Sequence, residues 1–524
     1  MILGRVITFS AERYPNREAV VDGERRYTYG QWIERINRLA NAFLGVGIRK
    51  GDRVVMLLKN REETAAAHWA LQKIGAVSTP VNWRYGPAEV EYIVKDAGAA
   101  ALIYEEVSRA AVEQARPRFP GIPLIFVGDP VPPGSLGLDD LIAGAPDHEP
   151  RVDVSEGDYS IMLYTSGTTG RPKGVPRTHK NEYSAAMAHV IQSRNSLFDR
   201  TLGIMPFYHT MGVRSMLAMA IVNGCLVIQN DWDPGQALKL LERERINSLY
   251  LVPTLYHDLV NHEDFVKRDL SRLKKLGYAG APMSGTLTRR LAESLKPEVF
   301  VNHLGSTEIY TFTICDRVID KPTCAGRPGI HGRVRIVRAD PERRARPDEV
   351  VPRGQVGELI VSLESDEAFS GYWNRPDADA RAIKDGWYFT GDLAYEDEEG
   401  DIYVVGRVDD MIISGGENIH PVEVEEVLLR HPGVLEVAVT GLPHDRWGQQ
   451  VAAFVVPRDP NLTAEELDQF CRDAPDLANF KRPRQYFFVK ALPKTPTGKL
   501  LRRKLVEGDY ELLQAARVPG ATGD

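Results

Sequence analysis

Hydroxyl residues and glycines cluster in one short stretch of this chain, and a lysine lies near its end. The sequence TSGTTGRPKG occupies positions 165–174, directly after the apolar segment IMLY. Glycines let a backbone approach an anion closely, while hydroxyl and amide groups donate hydrogen bonds to phosphate oxygens. The side chain of Lys173 would add a positive charge. The stretch predicts a phosphate-binding loop after a buried strand, with a solvated surface loop as the simpler alternative.

A Walker phosphate loop is another glycine-rich stretch that contains lysine. Its Gly-Lys-Ser/Thr ending is absent from positions 165–174, where the last three residues are Pro-Lys-Gly. The sequence therefore disfavours a P-loop nucleotide hydrolase.

Three further residues have side chains that a nucleotide-dependent reaction could use. His209 follows a predicted strand, and open α/β sheets bind ligands beyond the carboxyl ends of their strands. Glu308 offers a hard oxygen ligand suited to Mg²⁺, and Asp392 could accept hydrogen bonds from both hydroxyls of a ribose. Taken singly, each has a plainer explanation: a structural histidine, a helix-capping pair with Thr307, and a turn residue after Gly391.

In this order and spacing, the motifs resemble the signatures of the acyl-adenylate-forming enzymes. That family includes acyl-CoA synthetases, the adenylation domains of peptide synthetases and firefly luciferase, and the resemblance runs from about residue 8 to residue 505. It implies that ATP and an organic acid form an acyl-adenylate and pyrophosphate, after which a thiol displaces AMP. It also implies that Glu308 binds Mg²⁺, that His209 lies beside the carboxylate and α-phosphate, and that Lys499 is catalytic. The implied ATP-binding residues are Thr165, Ser166, Gly167, Thr168, Thr169, Gly170, Lys173, Gly280, Ala281, Pro282, Thr307, Asp392 and Arg407.

The C-terminal part of the chain is especially similar to the benzoate- and halobenzoate-type CoA ligases. The similarity rests on MIISGGENIHP at 411–421, RWG at 446–448 and FKRP at 480–483. It implies that CoA is the thiol, because an aromatic side chain can stack on its adenine and arginine suits its phosphates. A core position for the two aromatic residues is the alternative. The implied CoA-binding residues are Arg84, Ser414, Gly415, Gly416, Trp447, Phe480 and Arg482.

The candidate acyl pocket follows from the same alignment of motifs. Small residues in YAGAPM at 278–283 let a flat ring lie against the backbone, although a tightly packed turn has the same composition. Leu304 stands where the family commonly has an aromatic residue that stacks on adenine. The candidate pocket residues are Thr210, Met211, Tyr250, Gly280, Leu304, Ile309 and Tyr310. This set is mostly apolar and has no obvious cation for a second carboxylate, so it favours a monocarboxylic acid.

A hinge and a mobile C-terminal domain are also implied by the resemblance. Adenylation needs positive charge near the α-phosphate, whereas thioester formation needs a path for CoA, and rotating a small domain can supply both in turn. The implied pivot is Asp409, and Lys499 in PKTPTGK would bridge the carboxylate and phosphate in the first step. The predicted domains are 1–406, which binds ATP and the acid, a hinge at 407–410, and a lid domain at 411–524.

The elements that must position these residues follow an alternating strand and helix pattern. Apolar strands are predicted at 53–58, 76–81, 100–104 and 124–127, with a helix at 63–73 between the first two. Such alternation favours an α/β fold with doubly wound, largely parallel subdomains in the large N-terminal domain. A change of pattern between 332 and 361 predicts a small β-subdomain, and the last part predicts a smaller α/β domain.

Composition excludes several classes of protein. A chain of 524 residues is too long for one compact core, and its net charge of -7 gives no reason to expect nucleic acid or an anionic membrane as partner. The four cysteines have no metal-binding spacing and are expected to be free buried thiols. The apolar run at 217–228 is too short to span a bilayer, and charges come too early for a signal peptide. A cytoplasmic enzyme is expected, with a homodimer left open.

These patterns together predict an AMP-forming carboxylate–CoA ligase. A compact aromatic or alicyclic acid is the first choice of substrate, and a medium- or long-chain fatty acid is the second. An adenylation enzyme that loads a carrier protein would share the first step, but the CoA-like C-terminal residues disfavour it. A non-catalytic nucleotide-binding protein is the alternative from a different class, and the intact set of Glu308, Asp392 and Lys499 argues against it.

Overall fold

The computed structural model describes residues 1–165, 171–339, 344–415, 417–494 and 500–517. It contains two compact units, a larger N-terminal unit formed by Met1–Arg333 with Ser362–Gly386 and a C-terminal unit formed by Val334–Val361 with Trp387–Asp524. The proposed hinge at 407–410 stays a prediction, because the packing of residues into units does not locate a pivot.

The described strands, in chain order, are β1 Glu18–Asp22, β2 Arg25–Thr28, β3 Arg53–Leu57, β4 Val77–Pro80, β5 Ala101–Glu105, β6 Leu124–Val127, β7 Leu136–Gly137, β8 Tyr159–Thr165, β9 Lys173–Thr178, β10 Arg200–Gly203, β11 Cys225–Ile228, β12 Ser248–Leu251, β13 Lys275–Ala279, β14 Val299–Leu304, β15 Thr313–Cys315, β16 Cys324–Pro328, β17 Val334–Val337, β18 Gly357–Ser362, β19 Ile383–Lys384, β20 Trp387–Glu396, β21 Ile402–Arg407, β22 Ile412–Ser414, β23 Glu417–Ile419, β24 Val434–His444, β25 Gly448–Pro457, β26 Gln485–Val489 and β27 Leu512–Arg517.

The described helices are α1 Leu3–Arg13, α2 Tyr29–Gly45, α3 Glu62–Ile74, α4 Pro87–Ala97, α5 Glu106–Ala115, α6 Leu138–Ala143, α7 His179–Gln192, α8 Thr210–Ile221, α9 Pro234–Arg243, α10 Pro253–Asn261, α11 Gly285–Leu295, α12 Pro376–Ala382, α13 Pro421–Leu429, α14 Ala464–Asp473 and α15 Arg502–Glu507.

Two largely parallel sheets form the N-terminal unit. One has the order β7-β6-β5-β3-β4-β8-β9, and all its pairs are parallel except β8–β9. In the other, β1, β11, β10, β12, β13 and β14 run parallel, and β2, β15 and β16 add antiparallel strands. In β3 the residues VVML are buried, and in β6 all four residues, LIFV, are buried. Such burial is expected for strands of a sheet that is covered on both faces. The predicted α/β fold with doubly wound subdomains is confirmed.

Helices α2 and α3 account for much of the core of this unit. Thr28 caps α2 in a reciprocal pair with Gln31, and the apolar face of the helix (Trp32, Ile36, Leu39, Phe43) is buried. Every residue of α3 is buried, and its alanines share one core cluster with side chains from β1, β3 and β11. The alanines in the sequence EETAAAHWALQKI let neighbouring elements pack closely against this helix.

The C-terminal unit contains two groups of strands. Strands β17, β18, β20 and β21 lie side by side in that order, so the small β-subdomain predicted near 332–361 includes later strands as well. The second group has the order β23-β22-β25-β26-β27, with β24 beside β25. Helices α13 and α14 contribute to its core, where Val424, Leu467 and Phe488 are buried.

Two expectations about the whole chain can be compared with the described residues. The four cysteines are free and buried, as predicted. Among the described helices, none has the length and apolar character that crossing a bilayer requires.

Candidate active site

The hydroxyl- and glycine-rich stretch joins two antiparallel strands. β8 ends at Thr165, which lies opposite Lys173, the first residue of β9. This pairing fixes where the connecting segment leaves and re-enters the sheet. The predicted ATP-binding residues Ser166, Gly167, Thr168, Thr169 and Gly170 lie outside the described residues.

Lys173 and Glu308 lie close to one another, with Tyr372 between them. The hydroxyl of Tyr372 donates a 2.6 Å hydrogen bond to Oε1 of Glu308. The Nζ atom of Lys173 lies 4.2 Å from the centre of the Tyr372 ring. Burial lowers the pKa of the Lys173 ammonium group, and the carboxylate of Glu308 opposes that shift. The sequence predicted the lysine and the glutamate, but nothing in it pointed to the tyrosine.

The backbone around Glu308 is held by a buried arginine on β9. The guanidinium of Arg177 is fully buried and forms an ion pair with Glu182. Its Nη1 donates to the carbonyl oxygens of Thr307, Glu308 and Glu367 at 3.3, 3.2 and 2.9 Å. Arg177 therefore fixes the backbone of the candidate metal ligand and was not identified from the sequence, where it is an ordinary basic residue after the glycine-rich stretch.

A single carboxylate is consistent with Mg²⁺ chemistry. Within the described part of the chain, no group of three or more His, Cys, Asp or Glu side chains could hold a metal ion. Mg²⁺ keeps several waters and commonly takes one or two protein carboxylates together with substrate phosphates, so it does not need such a group. The hydrogen bond from Tyr372 leaves the second oxygen of Glu308 to serve as the ligand.

His209 begins helix α8, six residues after the end of β10. Its Nδ1 accepts a hydrogen bond from the backbone N–H of Met211 at 3.4 Å. In a neutral imidazole whose Nδ1 accepts, the proton is carried by Nε2. The ring is therefore a hydrogen-bond donor, which suits a carboxylate or phosphate oxygen rather than the removal of a proton.

Several candidate acyl-pocket residues occur together in the N-terminal unit. Met211, Tyr250, Ile309 and Tyr310 are buried, whereas Thr210 and Leu304 are half-buried. The ring of Tyr250 lies 4.7 Å from that of His189 and 5.2 Å from that of His303. The two histidines were not identified from the sequence, because each falls inside a regular element among apolar neighbours.

A cation missed by the sequence analysis lies beside this set. Arg214 on α8 is 2% exposed, and its Nη1 lies 3.5 Å from the hydroxyl of Tyr250. The only signal in the sequence is one arginine in the otherwise apolar helix TMGVRSMLAMAI. The candidate pocket therefore borders a positive charge that its predicted members do not contain.

The residues predicted to face adenine follow the carboxyl end of β13. Gly280, Ala281 and Pro282 are exposed, and Gly280 has a φ angle of +87°. A tightly packed turn, the alternative for these three residues, would instead bury them. Leu304 ends the neighbouring strand β14, so an aliphatic side chain lies at the edge of the same sheet.

In the C-terminal unit, Asp392 and Arg407 face one another on paired strands. Nη1 of Arg407 donates to Oδ1 of Asp392 at 2.7 Å and to the carbonyl oxygen of Thr390 at 3.0 Å. Burial lowers the pKa of Arg407, but Asp392, together with Tyr388 and Asp409, raises it, and the pKa lies above its ordinary value. Gly391 has a φ angle of +72°, and a Cβ atom there would lie 2.7 Å from the guanidinium, so glycine is required.

The predicted CoA-binding residues have different environments. Phe480 is 46% exposed and is not a core residue, and Trp447 is half-buried with its ring stacked 4.4 Å from that of His444. Arg482 is buried and paired with Asp468. Arg84, in the N-terminal unit, lies over the ring of Trp83 at 3.9 Å.

The remaining predicted residues lie in or beside turns, or outside the described residues. Ser414 ends β22, and the N–H of Gly415 donates to the carbonyl oxygen of Trp447 at 2.9 Å. Asp409 is exposed in a short 3-10 turn that follows β21. The predicted CoA residue Gly416 and the predicted catalytic residue Lys499 lie outside the described residues.

Comparison with known proteins gives these features a family context. Residues 7–373 match the model of the AMP-binding enzyme family, and residues 423–499 match that of the AMP-binding enzyme C-terminal domain. The chain is 35% identical to a feruloyl-CoA synthase from Amycolatopsis sp over 94% of this chain and 96% of the relative. It is 33% identical to a 4-chlorobenzoate–CoA ligase from Arthrobacter sp over 96% of this chain and 94% of the relative.

A solved structure extends the similarity to the whole fold. A fatty acyl CoA synthetase from Mycobacterium tuberculosis superimposes with a TM-score of 0.76 at 31% identity, covering 97% of this chain and 98% of that one. Both family models and the named CoA ligases agree with the chemistry expected from the motifs. The chain therefore belongs to the AMP-binding enzyme family, as an AMP-forming acyl-CoA synthetase.

Proposed function

We propose that this synthetase activates a compact aromatic or alicyclic carboxylic acid. The observation that carries the proposal is the group of rings beside the candidate pocket, in which His189, Tyr250 and His303 lie within 4.7–5.4 Å of one another. Buried Met211 and Ile309 belong to the same candidate pocket. Flat, rigid walls suit a planar or cyclic acid, whereas a long flexible chain needs an extended channel.

The relatives support an aromatic acid without deciding the substrate. Feruloyl and 4-chlorobenzoyl are named for two relatives that match almost the full chain. A fatty acyl CoA synthetase is also similar over nearly the whole length, so a fatty acid is the second candidate. Hydrophobic pockets discriminate weakly between apolar shapes, and direct measurement has to separate the two.

In the first half-reaction, an oxygen of the acid attacks the α-phosphorus of ATP, and the bond to pyrophosphate breaks. Nε2 of His209 donates to the oxygens that carry negative charge at this centre, and Lys173 adds a positive charge beside Glu308. Mg²⁺ bound through Glu308 would neutralise phosphate charge. Asp392 accepts hydrogen bonds from the ribose hydroxyls and is oriented by Arg407.

In the second half-reaction, the sulfur of CoA attacks the acyl carbon, the bond to AMP breaks, and the thiol proton passes to solvent. Exposed Phe480 and half-buried Trp447 offer ring faces for the CoA adenine. Arg84 is exposed and can contact a phosphate, whereas the guanidinium of Arg482 already pairs with Asp468. Rotation about Asp409 would exchange Lys499 for the face that contains Ser414, Gly415 and Gly416.

Pyrophosphate release tests the substrate class directly. The wild-type protein is supplied with ATP, Mg²⁺, CoA and one acid at a time: benzoate, cyclohexanecarboxylate, and straight-chain acids of increasing length. We expect the highest kcat/KM with a ring-containing acid. A kcat/KM that rises steadily with chain length would instead identify a fatty acyl-CoA synthetase, and AMP formation only with a carrier protein would identify a loading enzyme.

Domain rotation is tested by separating the two half-reactions. We expect Lys499→Ala to abolish adenylation but largely to spare thioester formation from supplied acyl-adenylate. Lys494→Ala is the matched control, because this lysine lies five residues earlier and pairs with Glu436 at 2.7 Å. Equal loss of both half-reactions in Lys499→Ala would refute the two-orientation mechanism.

A further inference from the structure

Arg214 is a buried cation that has no counterion at contact distance in the described part of the chain. It lies on α8 and is 2% exposed, and its Nη1 and Nη2 donate to the carbonyl oxygen of Tyr310 at 3.2 Å and to Oγ1 of Thr311 at 3.0 Å. Its buried Nε finds no hydrogen-bond partner within the residues that the structure describes. Among the described residues, no carboxylate forms an ion pair with it. An isolated buried charge costs several kcal/mol, so its retention needs a reason.

Three rings surround this guanidinium and supply no negative charge. His189, Tyr250 and His303 are buried, and the hydroxyl of Tyr250 lies 3.5 Å from Nη1 of Arg214. Neither ring nitrogen of His303 has a hydrogen-bond partner in the described ranges of the chain. Burial, reinforced by the charge of Arg214, holds the pKa of both histidines well below the ordinary value, so both rings are neutral. We call these four residues the distal polar cluster.

The hydrogen bonds of Arg214 within the protein do not account for the cluster. Its two bonds to Tyr310 and Thr311 fasten α8 to the segment after Glu308, and a neutral donor could make them without burying a charge. They also leave Nε of Arg214 and both nitrogens of His303 unpaired. A purely structural role therefore explains the position of Arg214 but not its charge or its unpaired neighbours.

The position of the cluster relates it to the acid. Arg214 follows His209 by five residues, which along a helix axis is about 7.5 Å. A single six-membered ring bridges a separation of that order between a carboxylate and an oxygen substituent on the ring. Tyr250 is both a member of the cluster and a candidate pocket residue. The cluster is therefore connected to the candidate acyl pocket through Tyr250.

We propose that the distal polar cluster binds an oxygen substituent on the acid, a hydroxyl or a second carboxylate, at the end remote from the activated carboxylate. The proposal rests on the function proposed above and narrows it to oxygen-substituted ring acids. Arg214 supplies the charge and a donor, and His303 can donate through either nitrogen according to its tautomer. A second carboxylate would neutralise the guanidinium, whereas a hydroxyl would satisfy its unpaired Nε without neutralising it.

Matched acids that differ by one substituent test the proposal. Pyrophosphate release by the wild-type protein is measured with benzoate, 3- and 4-hydroxybenzoate, isophthalate and terephthalate. We expect at least one oxygen-substituted acid to exceed benzoate in kcat/KM by about 100-fold or more, because a site built to hydrogen-bond a substituent rejects the analogue that lacks it. A preference for the hydroxybenzoates or for the dicarboxylates then distinguishes the two sources of oxygen.

Variants show whether the cluster carries that preference. We expect Arg214→Met to lower the ratio of kcat/KM between the preferred acid and benzoate to near one, and Arg214→Lys to restore part of it. Tyr250→Phe, a milder change that keeps the ring, should lower the ratio severalfold. Arg200→Met is the matched control, since Arg200 is a mostly buried arginine paired with Glu18 and Glu244, and its ratio should equal that of wild type.

The outcomes separate this inference from the function on which it rests. Benzoate turnover without any gain from oxygen substituents would overturn the inference but leave the proposed function intact. An Arg214→Met variant that loses activity equally with every acid would assign the arginine a structural role. Pyrophosphate release with straight-chain acids alone would overturn the proposed function itself.

Discussion

Two buried arginines lie on either side of Tyr310, and their environments differ. Arg177 stacks 3.7 Å from the ring centre of Tyr310, pairs with Glu182 and binds three carbonyl oxygens. Arg214 binds the carbonyl oxygen of the same tyrosine but has no carboxylate partner among the described residues. Both guanidiniums are at most 2% exposed.

The contrast separates a cation that serves the fold from one that serves a ligand. A buried arginine whose charge is paired within the chain stabilises its surroundings, and removing it leaves its carboxylate uncompensated. A buried arginine without a counterion is tolerated where a bound molecule completes it. The same residue type, in contact with the same tyrosine, therefore predicts opposite responses to mutation.

The largest expected effect is on stability and comes from the completed pair. Arg177→Met should destabilise the N-terminal unit by about 3–5 kcal/mol, because Glu182 would remain buried without its partner. Arg214→Met should cost less than about 1.5 kcal/mol, since losing two hydrogen bonds is offset by removing an unpaired charge. Denaturant unfolding measures both, and equal losses would break the distinction.

Lowering the pH should affect stability in opposite directions through the histidines near Arg214 and through His331, which contacts Glu367. The pKa values of His189 and His303 lie well below the ordinary value, so the unfolded chain gains protons first and stability falls as pH drops below about 6.5. The ordinary pKa of about 6.5 limits the cost from each histidine to at most about 2 kcal/mol at pH 5. On the Arg177 side, Glu367 raises the pKa of His331, so that contribution is present at low pH and is lost as pH rises through the raised pKa.

Denaturant midpoints between pH 7.5 and 5 check this prediction. His303→Phe should remove part of the acid destabilisation, at most about 2 kcal/mol, and His331→Gln should make the protein slightly less stable only at the lower pH. A wild-type protein and a His303→Phe variant with parallel pH curves would show that His303 is not held neutral.

An intermediate effect on activity should come from the support of the candidate metal ligand. Tyr372→Phe removes the 2.6 Å hydrogen bond to Glu308. Because partners that orient a metal ligand commonly contribute 10- to 100-fold, adenylation should fall by about tenfold and the Mg²⁺ concentration for half-maximal rate should rise. Tyr104→Phe, which loses a hydroxyl contact with Ser135, is the control. An unchanged Mg²⁺ dependence would remove Glu308 from the metal site.

The smallest effects should come from two tyrosine hydroxyls. Tyr310→Phe removes a 3.2 Å hydrogen bond to Glu182 and should cost about 1 kcal/mol of stability. Tyr250→Phe removes a contact of 3.5 Å, at the limit for a hydrogen bond, and should cost less. Thermal unfolding is measured for both variants, and the acid preference is measured for Tyr250→Phe. Together these measurements test whether Tyr310 stabilises the fold and Tyr250 contacts the acid.

Much of the fold could be predicted from local patterns. The apolar face of α2, the apolar run VVML in β3 and the apolar strand β6 have patterns that leave little choice of structure. The glycine-rich motif was also evident, but its position between two antiparallel strands was not, because the return strand β9 contains Pro176 and charged residues. Its pairing with β8 is a tertiary property.

The candidate site was predictable only where a motif named its residues. Glu308 and Tyr372 are 64 positions apart, and no local pattern joins them. Arg214 occupies one position of an apolar helix, where its charge can be interpreted only once its neighbours are known. Sequence motifs thus identified the groups predicted to contact the nucleotide, whereas Arg177, Tyr372 and Arg214 were evident only from packing.

The short segment from Thr307 to Thr311 contains the proposed metal ligand and also contacts the distal polar cluster. Its first carbonyls are anchored by Arg177, its side chain at position 308 is the proposed metal ligand, and its end is tethered to Arg214. An acid of the wrong length that pushes on Arg214 would therefore strain the same few peptide units that aim Glu308. Selection among acids would then change kcat as well as KM, because one segment both limits the length of the acid and orients the metal ligand.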